Sequence, residues 1–326
     1  MSKQRKDNHL QIGLQQVPQK SQFDQIPFVH NNLSNLKLSQ IDLTANFMGY
    51  EVSVPFYINA ITGGSDKAYE INDFLSRLAN HFQIPMMVGS QSITFNDETT
   101  INSFSIVRKN MPTGIVIANL NANASVQMAT NAIKQIEADG LAIHLNLIQE
   151  LVMSEGDRDF GSWLENLVKL KKEIKHPVLV KEVGFGLSYP TIETLTQNGF
   201  KYLDISGAGG TNFAQIELLR SNKTDYFYEK LGLKTVDLLL ELRDHKLETN
   251  IYASGGINDE LDVVKSLMLG AKMVGQSKFF LDLTKLEYSM AVDRLANFII
   301  NIKKLFLMLG VKNLAELHLL GTRIKL

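Results

Sequence analysis

The sequence contains no cysteine. Disulfides, thiolate metal sites and every mechanism that needs a cysteine nucleophile are therefore excluded. An excess of one charge is also missing, since 33 Lys and Arg stand against 34 Asp and Glu for a formal net charge of -1. That balance gives no bulk attraction to nucleic acid or to an anionic membrane, so an anionic ligand has to be held by locally placed positive groups. Long apolar runs are absent too. The opening stretch MSKQRKDNHLQIGLQQ is basic and polar and offers neither a signal peptide nor a membrane span, so a cytoplasmic protein is expected. What is present is a 326-residue chain with 44% hydrophobic and 21% charged residues, enough to bury a substantial core.

Short runs rich in Ile and Val alternate with longer stretches of helical period, the pattern of βα units around a parallel sheet. Strands are expected at Pro55 to Ala60, Met86 to Ser90, Gly114 to Leu120, Leu141 to Asn146, Val178 to Val183, Tyr202 to Ser206, Ile251 to Ser254 and Ala271 to Gln276. Amphipathic segments follow, among them Ser125 to Ala138, Thr191 to Asn198, Leu231 to Asp244 and Asp259 to Leu269. Eight such units fit an α/β fold of the (β/α)8 TIM barrel type, whose usual length of roughly 250 residues leaves an N-terminal extension of about 50. A doubly wound open sheet is the competing architecture, but it calls for a GxGxxG turn after the first strand, which is absent.

In a barrel the residues just past the strand C-termini line one face, and that face carries the site. Here they are nearly all polar or glycine: Ile61-Thr62-Gly63-Gly64, Ser90, Asn119, His144 to Asn146, Lys181, Ser206 to Asn212, Gly255-Gly256-Ile257 and Gly275-Gln276-Ser277. Glycine is common in any βα turn. Three glycine turns after the last strands, however, can converge with their N–H groups on one phosphate. Lys181 either reaches solvent or faces the electron-rich edge of a bound cofactor. His144 and Asn146 have the same parity along their strand and project to one side. Glu150, just beyond, is either a surface carboxylate or one ligand of a Mg²⁺ that takes its other ligands from water and substrate phosphates. Glu155 to Phe160 reads as a salt-bridged turn beside the site. The basic cluster Arg5, Lys6 and His9 is either a solvated terminus or a cap on the barrel.

Together these segments resemble the type 2 isopentenyl diphosphate isomerases, most closely the form of Gram-positive bacteria. The resemblance is carried by Arg5 to His9, Tyr57 to Gly64, His144 to Glu150, Glu155 to Arg158, Val180 to Gly186 and Gly209 to Phe213. It implies a barrel over residues 51–326 that binds FMN, capped at its active site by residues 1–50. FMN would be held by Ile61, Thr62, Gly63, Ser90, Asn119, Lys181, Ser206 and Thr211, with its phosphate near Gly255, Gly256, Ile257, Gly275, Gln276 and Ser277. Arg5, Lys6 and His9 would bind the substrate diphosphate, Gln149 would approach the reacting carbons beside His144 and Asn146, and Glu150 would hold Mg²⁺. NADPH would keep the flavin reduced, isopentenyl and dimethylallyl diphosphate would be the substrates, and the chain would assemble as a tetramer or octamer. Two positions depart from the family: Asn258 replaces a frequent arginine, and Gln276-Ser277-Lys278 replaces a more usual Met-Ser/Ala-Arg.

The implied reaction protonates one carbon of an allylic unit and deprotonates another. A neutral glutamine is no strong base, so the reduced flavin is the better proton carrier and Gln149 orients the substrate. Two other readings remain open on the residues alone: a true FMN-dependent oxidoreductase, and a barrel that binds a phosphorylated ligand without catalysis. Stoichiometric reductant use marks the first, and lack of a retained flavin marks the second.

Overall fold

The apolar runs form short parallel strands that close on themselves. The computed structural model describes residues 3–16, 21–221 and 225–323. The barrel strands are β3 (Phe56–Ile58), β4 (Met86–Met87), β5 (Val116–Asn121), β6 (Gly140–His144), β7 (Val178–Lys181), β8 (Tyr202–Asp204), β9 (Asn250–Ser254) and β10 (Met273–Gln276), preceded by a hairpin of β1 (Ala45–Phe47) and β2 (Tyr50–Val52). Each barrel strand pairs with its sequence neighbour, and β10 closes the ring on β3 with Val274 opposite Phe56. This is the eight-stranded barrel expected from the sequence, each strand in its expected place. Most strands are shorter at their C-terminal ends than the apolar runs, because there the backbone leaves the ladder to build the loops of the site; Ser206, for example, has a φ of 39°.

Period-two alternation separates two cores. Tyr57, Met87, Ile117, Ala142, Leu179, Tyr252 and Met273 point into the barrel. Their neighbours Phe56, Met86, Val116, Leu141, Val178 and Val274 face the surrounding helices. Those helices start where the sequence supplies a side-chain acceptor: Ser65 caps Asp66–Phe82, Ser125 caps Val126–Gln135 and Asp259 caps Glu260–Met268. The helix expected over Leu231 to Asp244 begins only at Thr235. Residues before it are extended instead, because Leu233 donates its N–H to Phe185 O and accepts one from Ala208.

The N-terminal segment touches both ends of the barrel. The hairpin, not anticipated from the sequence, plugs the end at the strand N-termini. Its turn residues Met48 and Gly49 both have positive φ, 52° and 98°, as a two-residue hairpin loop requires. Phe47 packs against the Tyr57 and Tyr252 rings at 4.9 and 5.6 Å, and the Met48 N–H donates to Tyr252 Oη at 2.7 Å. At the opposite end lies the helix Lys3–Gln15, which buries Lys6 and Leu10. No helix among the described residues is long and apolar enough to cross a membrane.

Candidate active site

The strand C-termini and the N-terminal helix enclose one cavity. Of the residues singled out in the sequence, Arg5, Lys6, His9, Ile61, Thr62, Ser90, Asn119, His144, Asn146, Gln149, Lys181, Ser206, Thr211, Gly255, Gly256, Ile257, Gly275, Gln276 and Ser277 all line it. Gly63 and Glu150 do not line it. A Cβ at position 63 would overlap the Phe104 ring, so this glycine serves the packing behind the Thr62 turn. Among the described residues no aspartate or glutamate lines the cavity.

Beneath the floor formed by Asn59, Ser206 and Ser254 lies a hydrogen-bonded carboxylate that the sequence reading missed. Asp204, fully buried, accepts from Tyr57 Oη at 2.7 Å and Asn59 Nδ2 at 2.9 Å with one oxygen, and from Ser254 Oγ at 2.7 Å and the Ser206 N–H at 3.0 Å with the other. Asn59, Ser206 and Ser254 are thereby fixed where they face the cavity. Lys181 ends β7 above this floor, 5% exposed, and donates to Glu182 O at 2.6 Å. Burial lowers its pKa, while Asp204 and Glu182 oppose the shift. Burial likewise pushes Glu182 up to about 7 even though it accepts the N–H groups of Val183, Gly184, Phe185 and Gly186. That carboxylate fixes the loop after Lys181.

His144 ends β6 with Nδ1 3.0 Å from Asn119 Oδ1. The Asn119 amide is oriented by its Nδ2 donating to Val88 O at 3.1 Å, so Nδ1 carries the imidazole proton and Nε2 is left as an acceptor. Burial, aided by the charges of Lys181 and Lys6, lowers its pKa to about 3. Neutral imidazole is its working form.

The helix Leu147–Val152 places Gln149 and Glu150. The Gln149 amide is held at both ends, accepting from Asn146 at 3.4 Å and donating to Glu217 at 3.1 Å. Glu150 lies behind the wall, 8% exposed, and accepts from Asn146 Nδ2 at 2.7 Å and the Asp157 N–H at 3.0 Å. Its donors are neutral, so this buried carboxylate has no cationic partner among the described residues. No three metal-ligating side chains come together among those residues.

The N-terminal helix completes the wall through a second unforeseen group. Glu217, fully buried, lies 2.8 Å from His9 Nε2 and 2.7 Å from Arg220 Nε. Burial alone would raise its pKa, but His9, Arg220 and Gln149 together hold it down at about 2. Arg220 continues to Glu155 at 2.6 Å, which Arg5 approaches at 3.6 Å. The sequence did hold a signal for Glu217: with Ala214 and Leu218 it shares one helical face, and that face is buried. The salt-bridged turn that begins at Glu155 thus helps to dock the helix. Lys6, held by Ser90 O at 3.0 Å, is lowered to about 7 by burial and by Arg5.

The remaining wall is backbone. The N–H groups of Gly209, Gly210, Thr211, Gly256 and Ile257 have no hydrogen-bond partner among the described residues. Both side-chain polar atoms of Gln276 and Oδ1 of Asn146 are likewise buried without a partner. Such orphaned donors and acceptors, massed in one cavity, are what a polar ligand satisfies. Asn258 and Lys278 also line it, though the Lys278 ammonium is already paired with Asp282 at 2.7 Å.

Comparison with known proteins follows the same lines. The FMN-dependent dehydrogenase family profile matches residues 107–320. Flavocytochrome b2 with sulfite bound shares the fold at a TM-score of 0.67 and 19% identity, covering 94% of this chain and 83% of that one. A mandelate oxidase variant does so at 0.60 and 11%, covering 96% and 90%. Isopentenyl-diphosphate delta-isomerase of Staphylococcus epidermidis is 41% identical over 97% of this chain and 91% of its own length. The Limosilactobacillus reuteri protein of the same name is 42% identical over 98% and 94%. The chain belongs to the isopentenyl-diphosphate delta-isomerase family, on an FMN-dependent dehydrogenase barrel.

Proposed function

We propose that the protein interconverts isopentenyl and dimethylallyl diphosphate, with FMN bound at the barrel mouth. The observation that carries this reading is one cavity with two anion-binding sides: unpaired backbone N–H groups on the glycine turns, and Arg5 and Lys6 on the N-terminal helix. A flavin phosphate suits the first and a substrate diphosphate the second. The orphaned amide of Gln276 and the buried Lys181 suit the polar parts of the cofactor, alongside Ser90, Asn119, Ser206 and Thr211. Incubation with isopentenyl diphosphate under anaerobic reducing conditions, with detection of dimethylallyl diphosphate, tests it. Absence of product from flavin-loaded protein refutes it.

When bound and reduced, FMN supplies the acid and base function that carbon centres require. The chain supplies position and electrostatics. Arg5 and Lys6 hold the diphosphate, with His9 beside them. Gln149, clamped between Asn146 and Glu217, cannot titrate and orients the allylic unit. His144 presents an uncharged acceptor beside it. Replacing Arg5 or Lys6 by alanine should raise KM roughly tenfold or more with flavin still bound, since a charge-assisted hydrogen bond is worth about 1.5–3 kcal/mol. An unchanged KM would return the cluster to a packing role.

Lys6 adds a pH signature. With its pKa near 7 in the free protein, it is mostly neutral at pH 8, and a bound diphosphate favours its ammonium form. Substrate binding at pH 8 should therefore take up a proton, measurable by calorimetry in buffers of different ionisation enthalpy. The Lys6→Ala variant should lose that uptake.

The proposal extends to Mg²⁺ at Glu150, NADPH as reductant, a cytoplasmic location and a homo-oligomer, either tetramer or octamer. Support for the metal is the buried Glu150 carboxylate, which has no cationic partner among the described residues. A carboxylate with oxygens so placed is a ligand of the type Mg²⁺ takes. Glu150→Gln should lower activity and extra Mg²⁺ should partly restore it. Insensitivity of the parent protein to a chelator would assign Glu150 to holding the Asp157 loop alone.

A further inference from the structure

We infer that Gln22, in the N-terminal segment, is the positioning residue that aims two N–H groups of the glycine turns into the cavity and so sets the preference for a phosphorylated flavin. The inference rests on reading the cavity as an FMN site. Gln22 begins the turn Gln22–Gln25 and is not among the residues lining the cavity. Its Nε2 donates to Ala208 O at 3.0 Å and lies 3.5 Å from Gly255 O, while its Oε1 accepts the Val236 N–H at 3.1 Å. One amide therefore ties the turn after β8 to the turn after β9 and to the start of the helix Thr235–Leu242.

Peptide geometry gives this tie a direction. A trans peptide is planar, so the C=O of one residue and the N–H of the next point opposite ways. Ala208 O shares its peptide with the Gly209 N–H, and Gly255 O shares its peptide with the Gly256 N–H. Holding both carbonyls on the Gln22 side turns both N–H groups away from it. Gly209 and Gly256 line the cavity, and their N–H groups have no partner among the described residues. Thr235 Oγ1 also donates to Gly255 O, so that carbonyl is held twice.

The approach of Gln22 also accounts for the glycines. A Cβ at 209 or at 256 would overlap Gln22 Nε2, and both residues have positive φ, 117° and 68°. Their bare faces are turned to Gln22, not to the ligand. The segment itself is anchored independently: Ser21 Oγ donates to Asp262 at 2.5 Å, Lys265 donates to Phe23 O at 2.9 Å, and Phe23 and Ile26 are buried. Replacing Gln22 should leave the segment docked and loosen only the peptides that it orients.

The test is titration of flavin-free protein with FMN and with riboflavin, read by flavin fluorescence, for the parent and for Gln22→Leu and Gln22→Met. The parent should bind FMN much more tightly than riboflavin. Both variants should lose about tenfold in FMN affinity, the loss of two hydrogen bonds, with riboflavin affinity within roughly twofold of the parent. Equal weakening of both flavins, or no change in either, overturns the assignment. A parent that does not distinguish FMN from riboflavin overturns the underlying reading of the cavity, a separate result. Thermal melting of the flavin-free variants identifies a folding defect, and Gln22→Met, which keeps the length of the side chain, decides the matter if Gln22→Leu unfolds.

Discussion

Without FMN, or with FMN bound and left oxidised, formation of dimethylallyl diphosphate should fall by at least about a thousandfold, because a positioned acid or base is worth roughly 10²–10⁴ at each proton transfer. The cavity wall is the reason. Among the described residues no carboxylate lines it, His144 is held neutral with a pKa near 3, and Gln149 cannot titrate. Lys6 and Lys181 are the buried amines of the wall, and Lys6 is assigned to the diphosphate. Among the described residues the wall thus offers no carboxylate and no free imidazole for proton transfer between carbons, since His9 is tied to Glu217 and Lys181 donates to Glu182 O. Reduction by NADPH or another reductant should switch activity on, and each reduced flavin should support many turnovers, since substrate and product differ only in double-bond position. One NADPH spent per product would instead identify a dehydrogenase, and full activity with oxidised FMN would falsify the assignment of proton transfer to the reduced cofactor.

Replacing Phe47 by alanine should cost about 3–5 kcal/mol of stability, the usual range for a buried phenylalanine. Phe47 is fully buried between Tyr57 and Tyr252 in the inner core. The loss should appear as a lower urea midpoint with little change in slope. Phe227→Ala, at a residue 57% exposed, is the matched control and should stay within about 0.5 kcal/mol. A loss below about 1 kcal/mol at Phe47 would mean that the hairpin rests on the barrel without sealing it.

How much of this was visible in the sequence depends on where the information is local. Barrel strands declare themselves because short, largely apolar runs such as Gly140–His144 are buried on both faces. Strand-end parity places His144 and Asn146 on one wall. The hairpin was hidden because its strands are only three residues each and its turn puts a methionine, not asparagine or glycine, at a positive φ. The helix Lys3–Gln15 was hidden because it is mostly polar, and its stability comes from docking partners such as Ser65, Ser90 and Glu217 far along the chain. Asp204 was missed for the same reason: a single carboxylate in a sequence does not disclose which donors the fold will bring to it, whereas Glu217 at least shares a helical face with Ala214 and Leu218.

The N-terminal segment gains its partners from the other end of the chain, and this bears on how the protein is made. Ser21 meets Asp262, Phe23 meets Lys265, Gln22 meets Val236 and Met48 meets Tyr252, at separations of 241, 242, 214 and 204 residues. Contacts so distant in sequence form late and slow the search for the native state. During synthesis the first segment leaves the ribosome long before β9 and β10 exist, and its apolar groups Phe23, Ile26 and Phe47 lack part of their native cover, Tyr252 for Phe47 among it, until the ring closes. A chain interrupted before residue 250 is therefore not a smaller barrel with a loose tail. It is an open sheet with both edges unpaired and a sticky leader, a species expected to aggregate or be degraded.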